Sequence, residues 1–288
     1  MELLKSIFSL PARILSYIQN HFKAMLFLLI LYLVFEPTTK PLEIPNLAKI
    51  RLNGNIMDAE TIVEKIEVVK DDNSIKGALF IVNSGGGAVA PSIEISQAIK
   101  RLNEVKPVVT YASGTLASGS YYSAIHSSAI VANPGSLVGS IGVIMQGMNF
   151  EELSQKVGVA AQIIKAGKFK EMGTAMRQWE PHEKAELKKV IDGTYKMFVE
   201  DVATARKLDP KEHTVYADAH IFTAKGALEV GLIDQVGVAT DAQELLTKIS
   251  GVEKAVFKQE DKLDKLMEKL SQEVRSFVLS LSSSLMLY

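Results

Sequence analysis

The stretch Lys76-Gly-Ala-Leu-Phe-Ile-Val-Asn-Ser-Gly-Gly-Gly87 decides the fold. A short, uninterrupted apolar run that ends in turn residues reads as a strand buried on both faces, the kind found in parallel sheets. Downstream, Pro91 to Leu102 has helical spacing, and Pro107-Val-Val-Thr-Tyr-Ala112 is a second apolar strand. Upstream, residues 47–52 alternate as a half-buried strand. Gly54-Asn55 then turns the chain into a helix near 58–70, with Asp58 as its N-cap. After Ser113-Gly114 the pattern predicts a helix over 116–126 and short strands at 129–132 and 141–144. Strands alternating with helices define an α/β class with a largely parallel sheet. The second half is more helical, with segments at 149–157, 181–207 and 222–230 and a strand-like piece at Ala161–Ile164.

The chain has 288 residues, 32 basic and 33 acidic side chains, and no cysteine. Near-neutral charge gives no electrostatic footprint for nucleic acid, so no nucleic-acid partner is expected. The absence of cysteine removes thiol nucleophiles, disulfides, iron–sulfur clusters and zinc–cysteine sites together. With 47% of residues apolar and 23% charged, the chain has the composition of a folded protein.

Part of that apolar content is concentrated at the ends. Ala24 to Phe35 has no polar group except the Tyr32 hydroxyl. As a helix it would be about 18 Å long, short of the roughly 30 Å hydrocarbon core, so spanning needs the apolar residues Ile14, Leu15, Tyr17 and Ile18 upstream. Lys5, Arg13 and Lys23 precede the run and Glu36 follows it, a bias that keeps the N-terminus in the cytoplasm. No small-residue cleavage site follows, so the segment reads as an uncleaved anchor; the alternative is a buried core helix. Residues 1–36 are therefore the anchor and 37–46, with Pro37, Pro41 and Pro45, a stiff linker. Residues 47–250 are the body, and 251–288 a C-terminal amphipathic helix and tail with an apolar stripe from Leu263 to Leu281.

Three loops could carry chemistry. Asn83-Ser84-Gly85-Gly86-Gly87 follows a strand and precedes a helix, where bare backbone can cradle an anion. As a dinucleotide turn it lacks the acidic residue needed at the end of the next strand, and the chain contains no P-loop sequence. Ala117-Ser118-Gly119-Ser120 places a serine at a helix N-terminus beside an amide suited to an oxyanion. His126 is a poor base for it, because it would lie about 12 Å away along a continuous helix. Lys165-Ala-Gly-Lys168-Phe-Lys170 offers three lysines, any of which desolvation could turn into a base.

These loops, with Gly139-Ser140-Ile-Gly-Val143, Gly167-Lys-Phe-Lys-Glu171 and Gly231-Leu-Ile-Asp234, resemble in order and spacing the bacterial signal peptide peptidases of the SppA type. The resemblance covers residues 47–250. It implies a ClpP/crotonase-like fold of repeated β-β-α units and a serine endopeptidase with a Ser-Lys dyad. Ser118 would be the nucleophile, Lys170 the general base, Gly87 and Gly119 the oxyanion donors through their N–H groups, and Ser140 a hydroxyl that orients the lysine. It implies no metal, nucleotide or redox cofactor. It also implies apolar signal-peptide remnants as substrates and a ring-like homo-oligomer in the bacterial inner membrane, with the protease domain on the outer, periplasmic side. Two positions depart from the family pattern: Gly85 stands where proline is usual and Ser120 where glycine is usual. Two other functions compete with this one, a crotonase-type acyl-CoA enzyme and a catalytically silent membrane scaffold.

Overall fold

The computed structural model describes residues 17–29, 31 and 44–258. The chain divides into two units, residues 1–43 and 44–288. In the first, residues 17–29 are helical. Among the described residues no helix is long and apolar enough to cross a membrane. The striped segment from Leu263 onward lies outside the described residues, as do parts of the anchor run.

The second unit is a mixed α/β body on a seven-stranded, mostly parallel sheet. Strand β1 (Leu47–Asn53) leads through α1 (Glu60–Asp71) to β2 (Gly77–Ser84), then through α2 (Val89–Asn103) to β3 (Val108–Ala117). Helix α3 (Gly119–Ala124) follows at once, and then β4 (Ala129–Ala132) and β5 (Leu137–Gly139). An excursion with one short helix, α4 (Glu151–Lys156), precedes the long α5 (Pro181–Arg206). The chain closes with α6 (His213–Tyr216), β6 (Ile221–Thr223), α7 (Ala224–Glu229), β7 (Gln235–Val236) and α8 (Ala239–Ser250).

Strand β2 is apolar from Gly77 to Val82 because both of its faces are covered there. Ala78, Phe80 and Val82 enter the main core with Ile66 of α1, Ile95 and Ile99 of α2, and Val202 of α5. Leu79 and Ile81 point the other way, against Ala242 and Leu246 of α8. Alternate residues therefore feed two cores, which is why no polar alternation marks this strand.

Strand β3 changes partner along its length. Val109–Ala112 pairs with β4, whereas Thr115–Ala117 pairs with β5. Between the two halves its register with β2 slips, so that Val82 faces Ala112 but Ser84 faces Leu116. Asn83 Oδ1 fills the slip by accepting the Thr115 N–H at 3.0 Å. A Cβ on Gly114 would lie 2.5 Å from that oxygen, so a larger residue there would push the Asn83 side chain out of the slip. The bulge extends β3 beyond Ala112, where the sequence pattern predicted its end, to Ala117. The residue after it is Ser118.

Asp234 is bolted between elements. Its carboxylate accepts from Ile130 N–H at 2.7 Å and from both Arg206 Nη atoms at 3.0 and 2.8 Å. Residues beyond α8 return to the sheet, Phe257 bridging to Leu47 and the Lys258 N–H donating to Leu47 O at 2.7 Å.

Candidate active site

Strands β2, β3 and β5 run parallel, so their carboxyl ends open on one edge of the sheet, the usual place for a site in such folds. The three ends are the glycine loop 85–87, Ser118 and Ser140.

Ser118 is half-buried and left-handed, with φ 53° and ψ −127°. Such a conformation in a non-glycine residue is costly and persists only where the surroundings impose it. Here the Ser118 N–H donates to Gly139 O at 2.8 Å and Ser118 O accepts from the Tyr122 N–H at 3.0 Å. Ser140 is also left-handed, at φ 50°, and its N–H donates to His220 O at 2.7 Å. Because Ala117 pairs with Gly139, Ser118 and Ser140 leave adjacent strands side by side. Asp218 and Ala219, left-handed as well, pack against the same turn, the Ala219 N–H donating to Ile141 O at 3.0 Å.

The glycine loop is pressed onto Ser118. A Cβ on Gly86 would lie 2.6 Å from Gly119 N and 2.9 Å from Ser118 Cβ, and its φ is +93°. A Cβ on Gly87 would lie 2.1 Å from Ile56 O. Ile56 holds the loop from the other side: its N–H donates to Gly86 O at 2.9 Å and its carbonyl accepts from the Ala88 N–H at 2.8 Å. Among the described residues, the N–H groups of Gly87 and Gly119 donate to no backbone oxygen. Gly119 is the first residue of α3, where the amide has no intrahelical acceptor. Two free donors therefore flank one strained serine.

Ser120 has a structural task. Fully buried, its Oγ accepts from the Ala117 N–H at 2.9 Å and donates to Ser84 O at 2.6 Å, tying the ends of β2 and β3 together. An apolar pocket opens beside Ser118, Gly87 and Gly119, walled by Val89, Ile93, Tyr122, Val143, Met197 and Phe198. The Tyr122 hydroxyl donates to Asp201 Oδ2, and its ring meets Phe198 edge-on at 5.0 Å. Burial, reinforced by Asp201, raises the phenol pKa and keeps Tyr122 a donor. His126 is outside the pocket lining, and burial lowers its pKa.

Lys170 stands apart from this cluster. It is exposed, in a turn closed by its own N–H to Gly167 O at 3.2 Å, and is not among the pocket residues. The segments 141–144 and 161–164, predicted as strands, have no regular structure. Ile141 is buried in the core, but Ile144 is 84% exposed and Ile163 and Ile164 are exposed. Sequence reasoning missed Ile56 and Asp201, and the bulge-filling role of Asn83. Asn83 alone left a signal, a polar residue ending an apolar strand, whereas Ile56 and Asp201 look like ordinary helix-flanking and helix-surface residues.

A strained serine at a strand-to-helix turn, two unpaired amides and an adjoining apolar pocket make the class that of an α/β serine hydrolase. Comparison with known proteins narrows it. The model of Peptidase family S49 matches residues 100–253, a span that includes Ser118, Gly119, Ser140 and Lys170. The chain is 38% identical over 195 residues to a candidate protease of Methanocaldococcus jannaschii, a match covering 68% of this chain and 63% of that relative. It is 31% identical over 216 residues to a candidate signal peptide peptidase SppA of Enterococcus faecium, covering 70% of this chain and 63% of the relative. It is 34% identical over 185 residues to the chloroplastic serine protease SPPA of Arabidopsis thaliana, covering 64% and 27% of the two chains. The chain belongs to peptidase family S49, and it spans less than two thirds of the length of each of these three relatives.

Proposed function

We propose that this chain is a membrane-anchored endopeptidase that hydrolyses apolar peptides such as signal-peptide remnants, with Ser118 and Lys170 as its dyad. The observation that carries the reading is the convergence of left-handed Ser118 with the free amides of Gly87 and Gly119 beside an apolar pocket.

In this mechanism neutral Lys170 Nζ takes the Ser118 Oγ proton as the oxygen attacks the scissile carbonyl. The carbonyl electron pair moves onto oxygen, and the N–H groups of Gly87 and Gly119 stabilise that charge. When the tetrahedral intermediate collapses, the C–N bond breaks and the leaving amine takes the proton from the Lys170 ammonium. Water, deprotonated by Lys170, then attacks the ester and releases the acid and Ser118. Ser140, one strand over, would orient Lys170. The pocket would accept the apolar side chain preceding the cleaved bond.

Self-association is part of the proposal. The excursion carrying Lys170 exposes Ile144, Met148, Leu153, Val157 and Ile164, an apolar surface suited to contact with further copies. Such contact would bring Lys170 to a serine and desolvate its ammonium. The same reading takes the sheet as a ClpP/crotonase-like fold of repeated β-β-α units. It places the body outside the inner membrane, supported by the apolar run at 24–35 and the lysine and arginine residues before it.

The test is labelling of the full-length chain in detergent with a serine-directed fluorophosphonate, followed by peptide mapping. Modification of Ser118, lost in Ser118→Ala and strongly slowed in Lys170→Ala, is the expected result. Peptide hydrolysis by folded Ser118→Ala at the wild-type rate would overturn the proposal.

A further inference from the structure

The excursion that carries Lys170 also holds a chain of ion pairs that the mechanism leaves unused. Arg177 forks onto Glu183, Nη1 to Oε2 at 2.8 Å and Nη2 to Oε1 at 2.7 Å. The same Nη2 reaches Glu171 Oε2 at 3.2 Å, and Lys165 Nζ approaches that oxygen at 2.6 Å. Glu183, only 1% exposed, sits in the first turn of α5, where its carboxylate also accepts the Glu180 N–H at 2.8 Å. Arg177 thus ties the lysine loop to a buried point on the longest helix of the body. Glu171 is the covalent neighbour of Lys170, and its side chain is 14% exposed.

A lysine can take a proton only while neutral, and a free carboxylate next to it stabilises the ammonium form instead. Here two cations occupy the Glu171 carboxylate, and Lys170 makes no ion pair among the described residues. Three other charged groups near the loop have contacts of their own, while Glu152 and Lys156 of α4 are exposed. Glu151 of α4 accepts the Gln178 N–H at 3.1 Å, and Glu180 lies 3.2 Å from His182 at the start of α5. Lys168 stands over the Phe169 ring at 5.5 Å. Glu171 is therefore the carboxylate best placed to capture Lys170, and Arg177 and Lys165 hold it.

We infer that Arg177 is a positioning residue for the reaction: by holding Glu171 and anchoring the loop to Glu183 it keeps Lys170 unpaired and available as a base. The inference rests on the reading of Lys170 as the base. Its signature is a pH effect that loss of packing alone would not produce.

The experiment measures kcat and KM across pH on an apolar fluorogenic peptide, using the full-length chain in detergent. The variants are Arg177→Met, Glu171→Gln, their combination, and Lys170→Ala. In Arg177→Met Glu171 loses one of its two cations and its tie to the buried Glu183, so Lys170 competes with Lys165 for the carboxylate and the acid limb of kcat/KM moves up by about one pH unit. Below that limb the rate falls about tenfold, since one unit is a tenfold change in the neutral fraction, and KM stays the same. Adding Glu171→Gln returns the limb to its wild-type position, although Glu183 is as unpaired as in the single variant. If Arg177→Met does not fold, the comparison runs in a Glu183→Gln background, where no buried charge is left alone. An unmoved limb in Arg177→Met, or an equal displacement in the double variant, overturns the inference. Full activity in Lys170→Ala would instead remove the base reading itself, so the two failures are distinguishable.

Discussion

Gly87→Ala isolates one proposed donor. A Cβ there would lie 2.1 Å from Ile56 O. An ordinary C···O approach is about 3.3 Å or more, so relief on the order of 1 Å is needed. It cannot come cheaply, because Ile56 is held by two backbone hydrogen bonds, to Gly86 O at 2.9 Å and from the Ala88 N–H at 2.8 Å. Breaking both costs about 2 kcal/mol at about 1 kcal/mol each. The displaced amide also leaves the oxyanion position, and loss of one such donor lowers kcat on the order of 100- to 1000-fold. Steady-state kinetics on an apolar fluorogenic peptide should show kcat falling by that factor with KM little changed. Urea denaturation should show the matching stability loss. Gly85→Ala serves as the control two residues earlier, where a Cβ meets nothing within 4 Å and φ is not left-handed. It should stabilise the chain by about 0.5 kcal/mol through a less flexible unfolded state, with kcat unchanged. If Gly87→Ala kept kcat within about threefold of wild type, the Gly87 amide would not be an oxyanion donor.

Three further outcomes follow from the same geometry. Ser120→Ala leaves the Ala117 N–H and Ser84 O without their shared partner and should cost about 1–3 kcal/mol in urea melts, with a lower kcat as the ends of β2 and β3 loosen. Asp201→Ala strips the acceptor from Tyr122 and should raise KM for bulky apolar peptides more than it lowers kcat; the reverse pattern would sink the pocket assignment. Arg177, with the Glu180 N–H, depresses the Glu183 pKa from 4.5 to about 2. A carboxylate more acidic in the folded state than in the unfolded one stabilises the fold above its unfolded pKa and loses that contribution as pH falls through the folded one. The wild type should therefore lose stability between about pH 5 and pH 2 more steeply than Glu183→Gln, as measured by urea midpoints at each pH.

How much was legible depended on whether a residue's role is local. The buried run of β2 follows from composition alone, and so does the glycine loop after it. Pro181, with Glu183 two residues on, marks the start of α5, because N-terminal capping is a property of adjacent residues. Strand β4 at 129–132 was legible for the same reason. Ala161–Ile164 is as apolar as a strand, but a strand exists only through its partner, and none pairs with it among the described residues. Conversely Leu137–Gly139 is too short to be seen as a pattern, yet it is a strand because β3 and β6 lie on either side of it.

The sequence by itself determined the chemistry on offer: a serine before a glycine, a triple-glycine loop, lysines on one excursion, and no thiol to compete. Only the tertiary structure decided which groups meet. Gly87 and Ser118 are 31 positions apart in the chain and are joined by the parallel register of β2 with β3, the bulge at Asn83 and the bridge to Ile56. Those contacts hold Ser118 at a positive φ and leave two amides unpaired. A lone segment would relax that strain and hydrogen-bond those amides to water. Free donors beside a strained serine are thus a property of the packed sheet edge, and no stretch of the chain possesses them alone.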